Sequence, residues 1–210
     1  MQNFFVTGWH HSGTSILQHC IADQLNIDTT KRLPESINSN FDSIKCNTVD
    51  KCPANQGVIP YMKKLYENKE NHNIHVVIIL RDANDLLESI QKRHGGSIER
   101  EAQDYLQFLI FVKNTFIKKY DNYTIISLSD FVLDPLKQLK RTGLIITNND
   151  SKYLDKKKTI LGNRPKDKSH EKLRQWQVNQ KIDPNIVKHS KTVYPHSKEI
   201  NELQNELLNI

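Results

Sequence analysis

The chain has 210 residues, of which 37% are hydrophobic and 26% charged, enough for one sizeable core but short for two, so a single domain over 1–210 is expected. Lys and Arg outnumber Asp and Glu 30 to 24, a net charge of +6 that suits an anionic ligand without demanding a nucleic acid. Three cysteines are too few and odd for a disulfide framework, and no apolar run approaches membrane-spanning length.

Phe4-Phe5-Val6 is an apolar run of strand length. A turn bounded by Gly8 and Gly13 follows, and then Ile16, Leu17, Cys20, Ile21 and Leu25 recur at helical spacing. Because this strand begins almost at Met1, no signal peptide is read there, and a soluble, cytoplasmic protein is expected. Strand, glycine loop and helix in that order make a phosphate cradle. The loop N–H groups and the unpaired N–H groups of the helix's first turn favour an anion, and Ser12, Thr14 and Ser15 add hydroxyl donors. Gly8-x-x-x-x-Gly13 has the spacing of a Walker-type loop, but Thr14-Ser15 stand where a nucleotide triphosphatase needs Lys-Ser or Lys-Thr. Without that lysine the β/γ-phosphate clamp is missing, and the loop should hold another phosphorylated ligand.

From Asp28 to Ala54 the chain is polar and weakly periodic, which predicts long loops with short pieces of helix. Glu35 and the tetrapeptide Asp50-Lys51-Cys52-Pro53 lie in this stretch. Ile59, Met62, Leu65 and Tyr66 predict a helix, and His75 to Leu80 predicts a strand in the middle of a parallel sheet. Arg81 ends that strand, where open α/β sheets bind ligands. Asp82 or Asn84 then caps a helix with Leu86, Leu87 and Ile90 inward and Ser89 on the opposite face beside Asp85. After Gly95-Gly96 a long helix is expected over 97–119, then a strand over 123–128 and a turn at Ser129-Asp130-Phe131. Asp134 and Pro135 should start a helix that Gly143 ends.

Between Ser151 and Arg174 nine Lys and Arg face three acids; the segment reads either as a basic flap over an anionic ligand or as a solvated loop. Ser197 to Leu208 predicts an amphipathic helix with Ile200, Leu203 and Leu207 inward. The whole is α/β, three-layered, with a central, mainly parallel sheet flanked by helices. Cys46, Cys52, His72 and His75 fit no zinc spacing, so no metal is expected. His72, His75 and His94 read as surface or strand-edge residues.

Four segments in order resemble one family, the sulfotransferases that use 3′-phosphoadenosine 5′-phosphosulfate (PAPS). Thr7-Gly8-Trp9-His10-His11-Ser12-Gly13-Thr14-Ser15 is similar to their 5′-phosphosulfate loop. The strand ending in Arg81, with Ser89 eight residues later, resembles their 3′-phosphate segment. Asp50-Lys51-Cys52-Pro53 resembles their Lys-x-Pro element, and Ser129 to Pro135 their motif at a strand end. Together these cover roughly residues 4–145.

The resemblance implies a P-loop-like α/β domain that moves a sulfuryl group in line from PAPS to an acceptor hydroxyl or amine. The product is 3′,5′-bisphosphoadenosine (PAP), and no metal is needed. Gly8, Trp9, His10, His11, Ser12, Gly13, Thr14 and Ser15 would hold the 5′ end, and Arg81 and Ser89 the 3′-phosphate. His11 stands where the family has Lys or Arg, and would act as a cation if phosphate oxygens raise its pKa; His10 would share that role. Glu35 is the candidate base, and Lys51 would orient the sulfuryl group or the base. The implied partner is a small-molecule, glycan or peptide acceptor, with neither nucleic acid nor membrane involved. Two other classes stay open: a P-loop kinase or other nucleotide phosphotransferase, and a PAP-binding relative without activity.

Overall fold

The computed structural model describes residues 2–27, 48–54, 58–147 and 190–210. Among these residues four strands form one parallel sheet: β1 (Asn3–Trp9), β2 (Thr48–Ala54), β3 (Ile74–Leu80) and β4 (Tyr123–Ser127), in spatial order β2-β1-β3-β4. In register, Val6 of β1 lies between Lys51 of β2 and Val77 of β3, and Ile79 of β3 lies beside Ile126 of β4. β3 is the unbroken apolar run and is interior, as that composition requires of a strand covered on both faces.

Successive residues of β1 point to opposite faces and enter two cores. Phe4 and Val6 pack with Leu17, Cys20 and Ile21 of α1 (Thr14–Gln24) and with Phe131 and Leu139. The last two belong to α5 (Leu128–Leu133) and α6 (Pro135–Arg141). Phe5 and Trp9 face the larger core, built with α2 (Val58–Glu67), α3 (Ala83–His94), α4 (Ile98–Phe111) and α7 (Ser197–Leu208). This is the expected three-layer α/β arrangement. α4 continues through a wider turn at Val112–Phe116 to Lys119, so the predicted long helix is present with a bulge in it.

Several local expectations hold. Asp82 caps α3, accepting from the N–H groups of Asn84 and Asp85, and Asp134 caps α6 with Pro135 in its first turn. Ile200 and Leu207 of α7 are buried, with Leu203 packed against the same core. Two expectations change. Residues 48–54, predicted as loop, form the strand β2; its polar residues and Pro53 are tolerated because, among the described residues, β1 is its one neighbour in the sheet. The turn expected at Ser129 is already helical, as α5, with the Ser127 hydroxyl accepting from the N–H of Asp130. No helix among the described residues is long and apolar enough to cross a membrane.

The topology decides where a ligand would sit. α1, after β1, covers one face of the sheet, whereas α3, after β3, covers the other. Neighbouring parallel strands whose connections leave to opposite faces open a crevice at their carboxyl ends. Here that crevice is bordered by the loop at residues 10–13 and by Arg81.

Candidate active site

The loop from β1 into α1 is folded by backbone geometry that its sequence allows. Gly8 has φ +157 and Gly13 φ +103; a Cβ on Gly8 would stand 2.3 Å from the carbonyl oxygen of Ile79, and one on Gly13 2.8 Å from a methyl of Leu128. The glycines thus let β1 and its loop press against β3 and α5. His11 lies in the left-handed region, at φ 68, and the N–H of Ser12 closes the turn on the carbonyl of Trp9 at 3.0 Å. Gly13 caps α1 and no side chain accepts there, so the first-turn N–H groups of an eleven-residue helix face the loop mouth without a capping side chain. The Ser12 hydroxyl is buried without a hydrogen-bond partner among the described residues.

Three cationic or potentially cationic groups converge on this loop from other elements. From the tip of β3, Arg81 Nη1 donates to the carbonyl of His11 at 3.0 Å, while its Nε is buried without a partner among the described residues. From β2, the Lys51 ammonium, 5% exposed, donates to Ser15 Oγ in the first turn of α1 at 2.8 Å. From the last turn of α3, His94 Nε2 meets His11 Nε2 at 2.9 Å. On the same helix, the Ser89 hydroxyl lies 3.2 Å from His11 Nδ1. His10 Nε2 reaches Glu101 of α4 at 2.8 Å.

The protonation state of His11 follows from these surroundings. Burial, followed by the like charge of Arg93 and the neighbouring His10, His94 and Arg81, pulls its pKa down to about 3. In these surroundings the imidazole is neutral at pH 7; the expected role as a cation is tied to phosphate oxygens that raise its pKa. A bound phosphate would work against that shift. Arg81 is also pushed down by burial, which the nearby Asp85, and less strongly Asp82 and Glu88, oppose.

The predicted residues are thus largely brought together: Gly8 to Ser15, Lys51, Arg81 and Ser89 surround one loop. Trp9 contributes its backbone; its indole, 6% exposed, stacks on Tyr105 at 5.4 Å and belongs to the larger core. Glu35 and the basic stretch 151–174 lie outside the described residues, as does Cys46. His72 and His75 are hydrogen-bonded at their own positions, to the Leu65 carbonyl and to Asn122 and Thr124. Neither takes part in the one metal-type cluster among the described residues. Sequence reasoning missed His94 and Glu101. Nothing in their local pattern marks them; only the turn back from α3 to α4 places them beside the loop. Trp9 and His10 also line an open cleft of about 780 Å³, together with Val58, Ile59, Glu101 and Asp104.

Among solved structures, the sulfotransferase domain of the Synechococcus PCC 7002 olefin synthase aligns at TM-score 0.61 and 10% identity. The alignment takes in 99% of this chain and 96% of that one. The fold is that of the sulfotransferases. The sulfotransferase domain of the curacin biosynthetic pathway agrees, at TM-score 0.57 and 11% identity, covering 98% of this chain and 97% of that domain. No protein-family model and no curated protein sequence matches the chain. On a sulfotransferase fold, the glycine loop at the end of β1 and Arg81 at the end of β3 occupy the crevice derived above from strand order.

Proposed function

We propose that the protein is a PAPS-dependent sulfotransferase. The observation that carries this reading is the bond from Arg81 Nη1 to the His11 carbonyl, which joins the two anion-binding elements in one crevice. One ligand that presents phosphate to both is a nucleotide phosphorylated at its 5′ and 3′ ends. The first turn of α1, Ser12, Thr14 and Ser15 hold the 5′-phosphosulfate; Arg81, its Nε unpartnered among the described residues, and Ser89 hold the 3′-phosphate.

The reaction is an in-line displacement at sulfur. An acceptor oxygen or nitrogen attacks the sulfuryl sulfur, the bond from sulfur to the bridging oxygen breaks, and PAP leaves with that electron pair. Charge grows on the bridging oxygen. Lys51, fixed on Ser15 at the mouth of α1, neutralises it together with the helix's first-turn N–H groups. Glu35 takes the proton from the acceptor. The cleft beyond His10 admits the acceptor, a small molecule, glycan or peptide, and a polar rim with Glu101 and Asp104 favours an acceptor bearing hydroxyl or amino groups.

Thermal unfolding measured with PAP, ATP, ADP and AMP tests the cofactor. The expected result is a rise in Tm for PAP alone, lost in Arg81→Ala, with transfer of labelled sulfate from PAPS in the presence of a chelator at a basal rate. A rise for ATP that depends on magnesium would replace this reading with a kinase. PAP binding without transfer to any hydroxyl or amine acceptor would leave a nucleotide-binding relative.

A further inference from the structure

His10 and His11 leave β1 side by side, and His94 comes to meet them from the last turn of α3. One ring nitrogen from each falls within 4.8 Å of the others, with the closest pair, His11 Nε2 and His94 Nε2, at 2.9 Å. Imidazole nitrogens bound to a tetrahedral zinc-class ion at about 2.0–2.1 Å lie roughly 3.3 Å apart, inside this range. Hydrogen bonds hold His11 to His94 and His10 to Glu101, and together they leave one nitrogen of each ring within ligating range of a common ion.

The atoms around the rings are those of a metal shell. His11 Nδ1 lies beside Ser89 Oγ at 3.2 Å, which presents Nε2 as the ligating atom. His10 Nε2 lies 2.8 Å from a carboxylate oxygen of Glu101, the arrangement in which a carboxylate orients a ligating histidine and raises its basicity. We propose that His10, His11 and His94 bind one divalent ion of the zinc class, with Glu101 and Ser89 orienting the rings and a fourth position open. Three neutral nitrogens with one open position suit zinc or cobalt better than magnesium or calcium, which prefer oxygen.

The charges nearby say what the fourth position takes. Arg81, whose Nη1 lies 3.0 Å from the His11 carbonyl, brings a positive charge next to the rings, so a bare dication is opposed there. An anion bridging ion and guanidinium relieves that repulsion. The ion and a phosphate therefore strengthen each other's binding, by the same factor in each direction. On the proposed sulfotransferase reading, the ion puts positive charge where a Lys or Arg is absent from the loop; the metal site itself is independent of that reading.

Untagged protein titrated with Co²⁺, without nucleotide, tests the site. A one-to-one complex with the visible absorption of a tetrahedral ion, displaced by Zn²⁺, is expected at micromolar protein. His94→Ala, at an exposed helix end, should weaken binding on the order of 100-fold or more, and Glu101→Gln about 10-fold. Adding PAP should tighten Co²⁺ binding in the native protein. Failure to form the complex, or binding of equal strength in the native protein and His94→Ala, overturns the site. A Tm rise with PAP in chelator tests the nucleotide reading separately, so either can fail while the other stands.

Discussion

At the scale of single residues, the loop depends on atoms that substitutions can remove one at a time. Gly8 is the strictest: an added methyl would meet the Ile79 carbonyl at 2.3 Å and Ser12 Oγ at 2.6 Å, and both neighbours are fixed by the sheet and the turn. Gly8→Ala should cost about 3 kcal/mol, lowering Tm by about 6–12 °C in a scanning calorimeter. Lys51 behaves in the opposite way. Its ammonium is buried at a helix N-terminus, a place where a positive charge costs stability and serves an anion. Lys51→Met keeps the length of the side chain and removes the charge. Stability should be unchanged or higher, whereas sulfuryl transfer should fall about 100- to 1,000-fold in kcat, in the range of other lost transition-state donors. A parallel loss of both folding and rate would place Lys51 among the structural residues instead.

At the scale of elements, α7 holds Arg81, the proposed anion-binding arginine, in place from a distant part of the sequence. Gln204 Nε2 donates to the Arg81 carbonyl at 2.8 Å and to the Tyr105 hydroxyl at 2.7 Å, while Asn201 accepts from the N–H of Ala83 and donates to Asp82. Gln204→Ala leaves that buried carbonyl and hydroxyl without these bonds, at a cost of about 1–3 kcal/mol. It should also weaken PAP binding, though it touches no ligand; isothermal titration reads that loss directly. The order of helices and interior strands was legible because β3 is an apolar run, α4 has a clear stripe, and Asp134-Pro135 and Gly143 punctuate α6. β2 was not legible. Thr48-Val49-Asp50-Lys51-Cys52-Pro53-Ala54 has one partner strand among the described residues and carries Asp50 and a buried Lys51, so neither apolar run nor alternation announces it.

At the scale of the whole molecule, the crevice was legible for a physical reason: a glycine loop and a strand-ending arginine each have local chemistry that suits an anion, and the strand order places them side by side. The histidine cluster was not legible, because His94 and Glu101 reach the loop through the packing of α3 and α4. That packing also sets how the molecule answers acid. His11, His72 and His75 all have pKa values lowered first of all by burial, His11 to about 3, with hydrogen bonds to Leu65 and Asn122 only partly opposing the shift at the other two. In the unfolded chain all three take up protons near pH 6.5. Below that value the unfolded state binds more protons than the folded one, so stability is complete above about pH 7 and declines as pH falls toward the folded pKa values. His196, raised by Glu199 and Glu99, pulls the other way, but it is exposed and its partners are screened by water. Urea midpoints measured in chelator should therefore drop between pH 7 and pH 5. His75→Gln, which can still bond to Asn122 and Thr124, should flatten that slope, and His11→Asn should flatten it further. A slope unchanged in both variants would show that these imidazoles titrate alike in the folded and unfolded chains, contrary to the buried environments seen at the loop and along β3.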